Sequence, residues 1–190
     1  MEIADPEVRI LAGIASTPEA DHASADTEWQ GSPFAWIETK PSRQRVRIGE
    51  QLVAGRVAAR GFNVTRSPDS RADRVIEDRR VEIKFSTLWK NGNYKFQQLR
   101  DQNCDLAICL GVCPFDAHCW VLSKDEILTQ WHETGNIRSQ HGGARGTDTA
   151  WFTVDPSEVA PWLRGFGGGL RDALGTLSGL TGFTAGDPQE

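Results

Sequence analysis

An α/β sandwich around a mixed β-sheet is the fold the sequence predicts, on three observations. Segments with helical and strand periodicity follow in the order helix, strand, hairpin, helix, strand, strand, helix, which sets helices against a sheet. Cys104 to Val112 is apolar almost throughout, the pattern of a strand buried on both faces. Between Asp73 and Phe85, charged and apolar residues alternate about a short turn, as in a hairpin with one buried face.

The elements follow in order. Residues 6–15 suit a short helix, and residues 20–32 read as a polar linker. Pro33 to Ile37 is an apolar anchor for the main domain. Residues 43–60 form a helix, with Ile48, Leu52, Val53 and Val57 as its apolar stripe and Gly61 as its stop. Glu50 lies at the edge of that stripe, either as a surface carboxylate or as part of a site. Gly61–Thr65 is a short strand, and Ser86–Asn93 a loop with an Asn-Gly turn. Tyr94–Arg100 is expected to open a helix with Gln98 on its polar side. Two strands end at Leu122, and Ser123-Lys-Asp-Glu126 is a capping box for a helix through Trp131. Residues 134–148 are a long Gly-rich loop, where Gln140, His141 and Arg145 either reach phosphates and base edges or are simply flexible. Trp151–Val154 is a late strand, 157–163 a short helix, and 165–190 a Gly-rich tail with a weak amphipathic helix that docks on a neighbour or a partner. The expected division is thus an acidic extension over 1–40, a domain over 41–164 and a tail over 165–190.

The hairpin carries the chemistry. With Glu77 and Asp78 as the turn, Ile76 faces Arg79 and Asp73 faces Glu82. Lys84 lies on the Glu82 face, and Val81, Ile83 and Phe85 point into a core. Two carboxylates directly opposite repel. A divalent cation such as Mg²⁺ between them removes the conflict, since it takes one or two carboxylates with waters and phosphate oxygens. Lys84 could then orient a bound water. The alternative is a solvated hairpin face with a Glu–Lys pair.

Charge distribution sharpens the choice. The chain is acidic overall, with a net charge of −5. Residues 41–100, however, carry 14 basic and 6 acidic side chains, while both flanks are acidic. Arg71, Arg74, Arg80, Lys90 and Lys95 lie around the acidic pair, the footprint of a polyanion held against a metal site. A basic face paired with the acidic flanks is the alternative. The four cysteines lack the closely spaced pairs of common zinc sites and are expected as buried thiols. No apolar run is long enough to span a membrane and the N-terminus has no signal-peptide pattern, so the expected location is the cytoplasm.

Together, the Gly49-Glu50 helix, Asp73, Val81-Glu-Ile-Lys84, Phe96-Gln-Gln-Leu-Arg100 and Asp105–Gly111 resemble the PD-(D/E)xK, or restriction-endonuclease-like, nucleases over about residues 44–130. The resemblance implies that Asp73, Glu82 and the Ile83 carbonyl bind Mg²⁺, with Mn²⁺ as a substitute. It implies that Lys84 positions the attacking water, that Glu50 completes the site and that Gln98 is the glutamine following the ExK element. Pro68-Asp69 is a literal Pro-Asp, and the hairpin register favours Asp73 over Asp69. The expected function is a Mg²⁺-dependent DNA endonuclease of restriction type. A homodimer would cut both strands, and a partner protein would dock through the termini. A non-cleaving DNA-binding module and a repair or junction nuclease are the alternatives.

Overall fold

The hairpin turn fixes the architecture around it. Glu77 and Asp78 both adopt positive φ, 46° and 63°. This is the type I′ geometry whose twist matches two right-handed strands. A computed structural model describes residues 3–15, 27–68, 72–101, 104–142 and 148–184. In it the turn joins β2 (Arg74–Ile76) to β3 (Arg79–Thr87), with Ile76 opposite Arg79 as the sequence predicts.

β3 lies inside a six-stranded mixed sheet. In order across the sheet the strands are β1 (Val64–Arg66), β2, β3, β5 (Leu106–Cys113), β6 (Asp116–Ser123) and β9 (Gly167–Gly168). β3 and β5 run parallel, and the other neighbours are antiparallel. A second sheet, β4 (Tyr94–Leu99), β8 (Ala150–Val154) and β7 (Arg138–Ser139), packs beside it.

The parallel β3–β5 connection therefore crosses over through a strand. This corrects the helix expected at Tyr94–Arg100, a helix being the usual crossover between parallel strands. The physical reason is an alternation of period two, in which Tyr94, Phe96 and Leu99 are buried while Lys95 and Gln97 are only half-buried. Tyr94 fits because Gly111 leaves room: a Cβ there would lie 2.7 Å from the Tyr94 ring.

Helices cover the opposite face of the large sheet. α1 (Pro6–Ala15), α3 (Ser42–Ala58) and α5 (Leu170–Thr181) contribute to one core with Val81, Ile83, Ile108 and Leu110, while α2 (Ala35–Glu38) seats Trp36 and Ile37 in it. Between the sheets, Tyr94, Phe96, Trp120 and Phe152 form a second core. Burying each such aromatic side chain stabilises the fold by about 1.5–3 kcal/mol. α4 (Lys124–His132) is capped as expected, with Ser123 Oγ accepting from the Glu126 amide at 3.1 Å.

Of the two settings expected for the C-terminal helix, the neighbouring core is the one observed: α5 buries Leu170, Ala173 and Leu177 against its own chain. α1 is tied to α3 by a buried ion pair, Glu7 with Arg56, which the more exposed Arg60 joins. The residues expected as a short helix at 157–163 instead give a 3₁₀ turn at Pro161–Phe166. Among the described residues no helix is long and apolar enough to cross a membrane.

Candidate active site

The ladder between β2 and β3 ends where the chemistry begins. Its last strand pair is Arg74 with Val81, and the Asp73 amide continues it by donating to the Val81 carbonyl at 3.0 Å. Asp73 then replaces backbone with side chain: its Oδ2 accepts from the Ile83 amide at 2.7 Å. This bond fixes the carboxylate beside the turn of chain leading to Glu82 and Lys84. On the face expected for them, Lys84 Nζ lies 2.5 Å from Glu82 Oε1, and both side chains are more than four-fifths buried.

Glu50 approaches from α3, the helix across the apolar face. A Cβ on the neighbouring Gly49 would lie 2.3 Å from Phe85 Cβ, so glycine is what lets this turn of α3 approach β3 so closely. The Glu50 pKa is raised above its ordinary 4.5, chiefly by burial and then by the negative charge of Asp73, with Glu82 adding to it. Arg74 opposes this from 3.4 Å away. The three carboxylates of the sequence prediction are therefore close enough to repel one another.

That repulsion is the fit test for a divalent cation. One Asp73 oxygen is committed to the Ile83 amide and one Glu82 oxygen to Lys84. An ionised carboxylate has about four lone-pair sites, so both groups keep accepting capacity. Hard oxygen donors of this kind suit Mg²⁺ or Mn²⁺. Among the described residues no group of three or more His, Cys, Asp or Glu side chains converges as a preformed metal cage.

The surrounding cations divide into two sets. Arg74 turns inward, donating to the Asp73 carbonyl at 2.7 Å as well as facing Glu50. Arg80 is engaged with Asp105, whose pKa is lowered by bonds from the Arg80 amide and guanidinium, against the opposing effect of burial. Each of these two arginines is thus paired with an acid, Arg74 with Glu50 and Arg80 with Asp105. Lys90 is exposed, and Lys95 lies in a cleft beside Lys84. Asp69, Arg71 and Arg145 lie outside the described residues.

That cleft, of about 400 Å³, opens along the part of β3 that β2 leaves uncovered. Ser42 and Arg45 of α3 stand on one side, Lys95, Gln97 and Gln98 of β4 on the other, and Lys84 and Thr87 line it from β3. Gln98 thus reaches the site neighbourhood from a strand, not from the expected helix. It sits in a register break between Phe96 and Leu99, with φ at 58°. A bulge with a non-glycine residue in left-handed geometry is costly local structure, of the kind that re-aims side chains beside sites. The sequence reading missed Arg45, Trp89 and Gln97 as cleft residues. The alternation of Tyr94-Lys-Phe-Gln, read with period two, was the signal for Gln97.

All four cysteines are free thiols, and burial raises the pKa of Cys109 and Cys119. Cys119 rises to about 12. Cys104, Cys109 and Cys119 are buried as expected, and Cys113 is only partly so.

No protein-family model matches the chain, and no curated protein does. Among solved structures it is similar to a bacterial homing endonuclease, I-Ssp6803I, at 16% identity and a TM-score of 0.47, over 74% of this chain and 95% of that one.

Proposed function

We propose that this chain is a metal-dependent DNA endonuclease of the PD-(D/E)xK kind, hydrolysing phosphodiester bonds in a restriction or defence role. One observation carries the reading. The side chain of Asp73 takes over the β2–β3 ladder at Ile83 and so holds an acceptor beside Glu82 and Lys84, within electrostatic reach of Glu50. A solvated hairpin face would leave these groups in water, and instead Glu82, Lys84, Arg74 and Glu50 are largely buried as ion pairs, with Glu50 also feeling the charge of Asp73.

Asp73, Glu82 and the Ile83 carbonyl would hold Mg²⁺, or Mn²⁺ in its place, which when bound supplies Lewis-acid stabilisation of phosphate charge and a more acidic water. Lys84 has a fixed ammonium that donates to a water or a phosphate oxygen, with Glu82 setting its direction. Glu50 holds a proton more readily than an ordinary carboxyl, so it accepts one from a neighbouring water with less loss. Arg74 keeps Glu50 from swinging away. Cutting both strands takes two such sites, which a homodimer supplies.

The test is cleavage of supercoiled plasmid with Mg²⁺ by the wild-type chain and by Asp73→Ala, Glu82→Ala and Lys84→Ala, each checked for folding. Loss of cutting in all three supports the assignment, and full activity in any refutes that residue's role. Salt-sensitive DNA binding with no cleavage in Mg²⁺ or Mn²⁺ would identify a non-cleaving DNA-binding module instead.

A further inference from the structure

The cleft beside Lys84 has a wall that phosphodiester hydrolysis does not use. Trp89, at the turn between β3 and β4, is 48% exposed, the most open large apolar side chain among the described residues. It is nonetheless held. Its amide donates to the Asn93 carbonyl and its carbonyl accepts from the Gly92 amide, both at 2.9 Å. Lys95 Nζ lies 5.3 Å from the Trp89 ring centre and 4.8 Å from that of Trp151, and Arg138 stands 5.6 Å from the Trp151 ring. The indole is thus braced by a cation and keeps about half its surface open.

Next to it, Gln97 and Gln98 line the cleft, and neither amide has a hydrogen-bond partner among the described residues. The charged residues lining the cleft are Arg45, Lys84 and Lys95, all basic, with Arg45 paired to Glu38 and Lys84 to Glu82 behind the lining. Its volume of about 400 Å³ falls within the ~300–1,000 Å³ usual for small-molecule pockets. An aromatic face, unspent amides and cations without a lining acid fit one kind of group: a flat heterocycle with donors and acceptors on its edge and phosphates on its sugar.

We propose that this cleft is a nucleotide subsite that stacks an unpaired base on Trp89 and reads its edge with Gln97 and Gln98. The substrate is then DNA with an unpaired or extruded base, not an uninterrupted duplex. This rests on the nuclease reading for the neighbouring phosphate, but its test does not depend on cleavage.

Binding is measured in EDTA with three DNA probes of one sequence carrying 2-aminopurine: a single strand, a duplex with that base bulged out, and a fully paired duplex. The full chain should bind the single-stranded and bulged probes more tightly and change their fluorescence on stacking. Trp89→Ala should weaken both by roughly 5- to 100-fold, the range found when a stacked aromatic is removed, while Trp89→Phe keeps most of the affinity. Trp89 lies at the surface, so circular dichroism should show either variant folded. Undiminished binding by Trp89→Ala, a preference for the fully paired duplex, or equal competition by polyglutamate would overturn the subsite. Loss of plasmid cutting never enters these readouts. A chain that stacks the bulged base but does not cut would refute the nuclease and leave the subsite standing.

Discussion

The two sheets offer opposite kinds of polar group on either side of Lys84. The large sheet, with Glu50 of α3, brings carboxylates and cations already engaged with one another: Asp73 with the Ile83 amide, Lys84 with Glu82, Arg74 with Glu50. The small sheet brings Gln97 and Gln98, and the turn leading into it brings the Trp89 indole, about half of whose surface is open. Preorganised charge is what bond-breaking requires, and uncommitted amides and aromatic faces are what recognition requires. On the functions proposed above, the contrast separates a reacting edge around Lys84 from a reading edge in the cleft.

Several measurements would break or sharpen that division. The largest effect is expected at the reacting edge. Asp73→Ala or Glu82→Ala should lower cleavage by 10²-fold or more, of the order seen on removing one preorganised electrostatic group, with little change in the affinity measured in EDTA. Removing a reading-edge residue should do the reverse. Next in size is the frame: Glu7→Ala leaves Arg56 buried without its counter-charge and should cost about 3–5 kcal/mol in denaturant unfolding. Smaller still, Gln98→Gly should stabilise the chain by about 1 kcal/mol by relieving left-handed geometry, yet weaken binding of unpaired DNA. A gain in stability with unchanged binding would remove Gln98 from the reading edge.

The smallest effect is a pH dependence. A carboxyl whose pKa rises on folding holds its proton more tightly in the native state. Its contribution is therefore complete below pH 4.5 and is lost as pH rises through the raised value. The stability of Glu50→Gln relative to wild type should accordingly improve between pH 4 and 7. Added Mg²⁺ should raise the wild-type melting temperature at neutral pH by mass action. It should do so less at pH 5, and not at all in the Asp73→Ala, Glu82→Ala double variant.

The reacting edge was legible because a hairpin turns local sequence into geometry. Once Glu77 and Asp78 are the turn, the opposition of Ile76 and Arg79 follows by counting, and so does the face shared by Glu82 and Lys84. The buried β5 was equally plain from its apolar run. The reading edge was hidden for two reasons. Tyr94–Leu99 belongs to a sheet whose partner strand lies more than fifty residues further on, and its bulge breaks the alternation at the two glutamines that matter. Nor does sequence say which cations are spent. Arg74 and Arg80 are expected as phosphate contacts, and only the folded chain shows that each also pairs with an acid, Glu50 and Asp105.

The bond between α1 and α3 reaches further than its place suggests. Arg56 lies on the helix that also carries Glu50, and the anion that neutralises it comes from the seventh residue of the chain. A version shortened to begin at the apolar anchor Pro33–Ile37 would keep every residue of the hairpin and the cleft. It would also strand a guanidinium in the core one and a half turns from the acidic cluster. Such a trimmed protein should be poorly soluble or inactive for reasons unrelated to its chemistry, so the leading helix belongs with the catalytic unit.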